Sequence, residues 1–115
     1  MSAYKVSRSK VNVNGTAADL FTVGFDEPSK NPAIVETVVA RFAELGELGG
    51  HLALVNGPAS LPAAMAIAHA IAHRYAGVAC FVPAEVGYVV AIAHGPDFRP
   101  GDYIPMANVT EAVAV

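Results

Sequence analysis

Loose alternation of apolar positions opens the chain: Tyr4, Val6, Val11 and Val13 predict a strand over Tyr4 to Val13. Asn14-Gly15 is a strong two-residue hairpin signal. Leu20 to Phe25 then divides into two faces, Leu20, Thr22 and Gly24 against Phe21, Val23 and Phe25, as a second strand does. After the turn Asp26-Glu27-Pro28-Ser29 the apolar period lengthens to three and four. Ile34/Val35, Val38, Phe42 and Leu45 form the buried face of a helix, and Lys30, Glu36, Arg41 and Glu44 its wet face. Asn31-Pro32 supplies the N-cap and first turn, Gly46 the stop, and Gly49-Gly50 a hinge.

The next stretch, residues 51 to 77, organises the rest. His51-Leu52-Ala53-Leu54-Val55 has the length and character of a buried strand. Asn56-Gly57-Pro58 breaks it, Ser60 is placed to cap a helix, and Pro62 is tolerated in that helix's first turn. Ala63 to Tyr75, rich in Ala, Met, Ile and His without Gly or Pro, predicts the helix itself. Beyond Gly77, Val78 to Val82 is another apolar strand, Pro83-Ala84-Glu85 a turn, and Tyr88 to Ala93 a strand that pairs back. Arg99-Pro100-Gly101-Asp102 is a turn, Tyr103-Ile104 a short edge strand, and the tail from Val109 carries no clear pattern. The order β-β-α-β-α-β-β in one domain, residues 1–115, predicts an α/β fold with a partly parallel, mixed, Rossmann-like sheet and flanking helices.

Composition adds an assembly to this picture. Hydrophobic residues make up 54% of 115 and charged residues only 15%, so some apolar surface is expected to be covered by a second subunit. Net charge is −3 with no Lys/Arg-rich run, which argues against a grip on long nucleic acid. Cys80 is alone and reads as strand core, so no internal disulfide can form and a reducing, cytoplasmic setting is expected. No stretch reaches the length of a membrane span, and the N-terminus lacks the apolar core of a signal peptide.

The chemistry concentrates around the second helix. A strand, a tight turn and a helix leave amide N–H groups facing the turn Asn56-Gly57-Pro58-Ala59-Ser60, where an anion such as phosphate can bind. Gly57 is expected to let that anion approach the backbone, so that a bulky replacement abolishes binding without unfolding the protein. His69 and His73 stand one turn apart on the predicted helix. They could share a metal, manganese for instance, but no third ligand follows at a telling spacing, so no cofactor is expected. His73 as a proton-transfer group is the better reading, with small Ala66, Ala70 and Ala76 around it. Arg74 is a candidate for phosphate contact and Glu85 is the nearest acid.

Several of these residues, taken in order, resemble a family. Gly57-Pro58 between strand and helix, Ala72-His73-Arg74-Tyr75 near the helix end, Val82-Pro83 with Gly87, His94, and Gly101-Asp102 with Ile104 are similar to the small single-domain ring nucleases of type III CRISPR systems, distant relatives of the CRISPR-associated Rossmann-fold sensors. The likeness covers about residues 50 to 105. It implies a homodimer, or a ligand-bridged stack of dimers, that binds cyclic oligoadenylate, cyclic tetra-adenylate first. It also implies that His73 matches the family's catalytic histidine. The family's aspartate falls on Val82 and its arginine on Ala84, while Asn56 replaces its basic residue at the turn. Neither Val82 nor Ala84 can carry charge or move a proton, so only Glu85, His69 or His94 could assist His73.

Two classes of function follow. One is a nucleotide-binding protein of CRISPR signalling that sequesters the cyclic messenger with slow or no cleavage, or cuts it as an active ring nuclease through His73. The other is a subunit-interaction domain whose apolar helix packs on a partner without any nucleotide.

Overall fold

The computed structural model describes residues 2–112 and contains seven strands and two α-helices. In chain order these are β1 (Tyr4–Val13), β2 (Thr16–Phe25), α1 (Asn31–Glu44), β3 (Gly50–Asn56), α2 (Leu61–Ile71), β4 (Tyr75–Val82), β5 (Gly87–Ala93), β6 (Tyr103–Pro105) and β7 (Val109–Glu111). Single 3-10 turns span Pro83–Glu85 and Met106–Asn108. All strands belong to one mixed sheet, ordered β6-β5-β4-β3-β2-β1-β7. The two βαβ crossovers make β2, β3 and β4 parallel, and the remaining pairs are antiparallel. The expected α/β architecture with a partly parallel sheet is therefore present.

Both crossovers step in the same direction along the sheet, and right-handed connections then place both helices on one face. Ile34, Val38 and Phe42 of α1 and Ala63, Ile67 and Ile71 of α2 pack there against Phe21, Val23, Ala53 and Val78. The opposite face buries Leu52, Leu54, Ala79, Tyr88, Val90 and Ile104 without any helix over it. The strand order explains how. Laid flat, β6 and β7 would stand about 29 Å apart, six strand spacings of about 4.8 Å. Yet only the turn Met106–Asn108 joins them, a reach of about 14 Å for four Cα steps. The sheet must curl until its edges meet. Asn14 N–H donates to the Asn108 carbonyl at 3.2 Å across this seam, and Val13 and Ile104 line one cavity. The helix-free face is thus the inside of a nearly closed barrel, plugged by Phe98, whose ring lies where a Cβ on Gly77 would be.

Several boundaries depart from the sequence reading, and β2 begins at Thr16, four residues before the expected Leu20. The second helix ends at Ile71, four residues before the expected Tyr75, which instead opens β4. Arg74 N–H tightens the end by donating to the Ile71 carbonyl, and the Arg74 carbonyl accepts from Gly50 N–H, drawing the chain onto the sheet. The final strand β7 pairs Val109–Glu111 with Val11–Val13, where sequence showed no pattern; the tail from residue 113 lies outside the described residues. Cys80, expected in strand core, is exposed beside α2.

Candidate functional site

The residues singled out by sequence fall at two ends of α2 rather than in one place. At the start of α2, the turn Asn56–Ser60 leaves β3, and the turn Pro83–Glu85 leaves β4 at the same end of the sheet. Ser60 caps α2 as expected, its Oγ accepting from Ala63 N–H at 3.3 Å. The same hydroxyl donates to Asn31 Oδ1 at 2.6 Å. Asn31 is the first residue of α1 and not its cap, so this bond ties the two helix N-termini together. Both helices therefore direct their positive dipole ends at one spot. Pro62 has no N–H and Ala63 is already satisfied, while Ala59, Ser60 and Leu61 N–H have no partner among the described residues.

Asn56 is half-buried and its Nδ2 donates to Tyr88 Oη at 3.1 Å, on the barrel-interior face. The Pro58 carbonyl accepts from Tyr4 Oη at 2.6 Å, and Tyr4 is fully buried. Burial pushes the Tyr4 phenol up to about 12, which keeps it a donor. Gly57 has φ +135°, and a Cβ on it would stand 1.7 Å from the Val23 carbonyl oxygen. Its glycine is demanded by packing against β2, so the expectation that a bulky residue here leaves the fold intact is corrected. Glu85 caps no helix; its carbonyl accepts from Tyr103 Oη. Val86 follows in the left-handed region at φ 50°, a strained position for a β-branched side chain. Two bonds to its carbonyl, from Tyr103 Oη at 3.2 Å and Met106 N–H at 3.2 Å, hold it there.

The far end of α2 holds the histidines. His73 lies in the turn beyond the shortened helix, not on the helix it was expected to share with His69. Its neighbour is His94, at 5.2 Å between ring centroids and 29° between planes. His94 Nε2 lies 2.7 Å from the Ala72 carbonyl, which can only accept, so that nitrogen carries the proton and Nδ1 is left free. His69 instead lines a groove of about 340 Å³ between the helices with Arg74, Phe42 and Val39. Of the three groups that could assist His73, the fold brings up only His94. Glu85 stands at the other end of β4, seven residues or about 23 Å of strand away. Val82 and Ala84, which the resemblance sets against a charged pair, share that far end. No group of three or more His, Cys, Asp or Glu side chains is placed to hold a metal ion among the described residues.

One polar cluster escaped the sequence reading. Asp19 is 3% exposed, accepts from Tyr75 Oη at 2.6 Å and pairs through Oδ1 with Lys10 Nζ at 2.5 Å. Burial opposes its charge, but the bonds from Lys10 and Tyr75 outweigh that and hold its carboxyl below the usual range. Tyr75 is pushed up to about 12, first by burial and then by Asp19. The signal was present in the hairpin: a two-residue Asn14-Gly15 turn places Lys10 opposite Asp19.

Beside α2, an apolar groove of about 230 Å³ runs between Ala64 and Ala68 on the helix and Cys80, Ala91 and Ile92 on the sheet. Although Cys80 is open to solvent, its apolar surroundings push the thiol up, away from the reactive thiolate. Leu61 and Met65 add side chains 75% and 66% exposed to the same helix. No helix is long and apolar enough to cross a membrane among the described residues. Comparison with family models, curated proteins and solved structures finds no match for this chain.

Proposed function

We propose that the protein binds a cyclic oligoadenylate, cyclic tetra-adenylate first, of type III CRISPR antiviral signalling, and lowers its free level mainly by holding it. The observation that carries the reading is the pair of helix N-termini joined by Ser60 and Asn31, with the N–H groups of Ala59 to Leu61 unpartnered beside them. Backbone donors and two converging dipoles suit phosphate and ask for no basic run, in keeping with the net charge of −3. The order of Gly57-Pro58, His73-Arg74-Tyr75, His94 and Gly101-Asp102 supports the same ligand through the family resemblance.

Slow or absent cleavage follows from the separation of the two ends. A ring seated at the turn is a helix length from His73 of the same chain: eleven residues of α2, about 16 Å. His73 therefore meets such a ligand only on a second copy stacked end to end. There it has His94 for company, with one ring nitrogen of His94 already committed to Ala72. General acid–base help of about 10²–10⁴-fold is what such a group can supply. The preorganised charge that stabilises the leaving oxygen has no candidate beside it except Arg74, which lines the helix groove.

A homodimer is part of this reading, built on the exposed Leu61–Met65 face, since it presents the turn twice to a ring of repeated phosphates. That face also favours the second reading, a subunit-contact domain without nucleotide. Incubation with excess labelled cyclic tetra-adenylate, followed by chromatography, separates the three. A fixed stoichiometry of intact bound ring supports sequestration; many equivalents cleared, with loss in His73→Ala, marks an enzyme; no bound ring leaves the contact domain.

A further inference from the structure

The turn at Asn56–Ser60 is itself uncharged, and the fold brings a cation to it from the other end of the sequence. Hairpin register sets Lys5 opposite Gly24 and Ser7 opposite Thr22. All four share the face of Val11 and Val13, the barrel interior. The closing strand β7 reaches only Val11 to Val13, so the first half of β1 stays open on this face and Lys5, Ser7 and Thr22 are exposed. Together with Gly24, Phe25 and Pro58 they line a cavity of about 460 Å³, the largest of those described. That volume lies within the usual span of small-ligand sites.

Three features mark it as a site. Lys5, Ser7 and Thr22 have no side-chain hydrogen bond or ion pair among the described residues; Lys30, Arg74 and Arg99 are unpaired too but line no cavity with such hydroxyls, and Arg8, Lys10 and Arg41 are engaged. Gly24 has no packing reason to be glycine: a Cβ there would meet only Pro58 Cδ, at an ordinary 3.9 Å. A glycine inside a strand weakens it, and what it leaves here is floor space for something to approach the backbone. The Pro58 wall is fixed in advance by the buried Tyr4 hydroxyl. One exposed cation, two free hydroxyls and a fixed wall next to a helix N-terminus are the complement of a single phosphodiester.

We propose that Lys5, Ser7 and Thr22 form a phosphodiester subsite beside the turn, so that the positive charge for ligand binding comes from β1. The identity of the ligand rests on the cyclic oligoadenylate reading above; the subsite itself rests on the cavity. Its test is equilibrium binding of fluorescent cyclic tetra-adenylate over a series of salt concentrations, with thermal melts to confirm that each variant is folded. Lys5→Met is expected to weaken binding about tenfold or more. It should also flatten the slope of log affinity against log salt by about 0.7, one phosphate contact. Lys5→Arg keeps both. Ser7→Ala with Thr22→Val weakens binding severalfold at unchanged slope. Equal affinity and slope in Lys5→Met overturn the subsite. A second measurement covers a wild-type protein that ignores the cyclic ligand: reductive methylation of lysines with and without pyrophosphate. Selective protection of Lys5, with Lys10 as the internal reference, keeps the subsite while the cyclic oligoadenylate reading falls. Equal labelling of Lys5 in both conditions overturns the subsite as well.

Discussion

The two ends of α2 are built on opposite plans. At its start the backbone presents the polar groups: free N–H groups, two helix dipoles, and a glycine wedged so tightly against β2 that no side chain fits. At its far end the side chains present them. His73 and His94 stack on the surface while the buried Asp19–Tyr75 pair, braced by Lys10, holds the start of β4. A backbone site resists change because altering it breaks the fold, whereas a surface side-chain site can lose its chemistry without structural cost. The two ends differ accordingly in exposure: Gly57 is packed against the Val23 backbone, whereas His73 and His94 are both exposed.

The sharpest way to break the comparison is at Gly57. Replacing it with Leu should prevent cooperative folding, a loss above about 4 kcal/mol, because the clash is with the Val23 backbone and a left-handed φ adds strain. A normal melt for Gly57→Leu would mean the turn is softer than its geometry. Next comes the far end's brace. Tyr75→Phe leaves Asp19 Oδ2 buried without its donor and should cost about 1–3 kcal/mol in denaturant unfolding.

The pH profile of stability sharpens this further. Asp19 is held below the usual carboxylate range, so its contribution is present above about pH 3.8 and is lost as pH falls below that. Tyr4 and Tyr75 are raised from 10.0 to about 12, so theirs is present below pH 10 and lost as pH climbs toward 12. Tyr75→Phe should leave only the Tyr4 share of the alkaline loss.

Relief of strain gives a smaller effect of opposite sign. Val86→Gly should raise stability by about 1 kcal/mol, read as a higher melting temperature, because its φ of 50° suits glycine. Smallest of all, His73→Ala and His94→Ala should each shift stability by less than about 0.5 kcal/mol, both being exposed. A large destabilisation by either would recast the histidine pair as a structural clasp.

Period and turn chemistry made six strands and both helices legible, because most carry a local signal: alternation in β2, three-and-four spacing in α1, Ser60 before α2. The end of α2 was not legible, since Ala72 and Tyr75 suit a helix and only the pull of Gly50 on the Arg74 carbonyl stops it. Nor was β7, three residues long, which exists through pairing with β1. At the candidate site the cap by Ser60 was readable. The division of the site between two ends was not, because it depends on where β4 begins. Lys5 lay more than fifty residues from the turn it adjoins, yet hairpin arithmetic from Asn14-Gly15 already placed it opposite Gly24.

The seam of the barrel has a kinetic consequence. β7 pairs residues 109–111 with residues 11–13, nearly the whole chain apart, and such long-range pairings are the slow ones to form. The hairpin β1–β2 and the two βαβ units can assemble from nearer neighbours, but Leu54, Tyr88 and Val90 stay open to water until the last strand arrives. Folding should therefore pass through a species with a complete helical layer and an uncovered concave face. At high protein concentration that species, not the native state, is where aggregation competes.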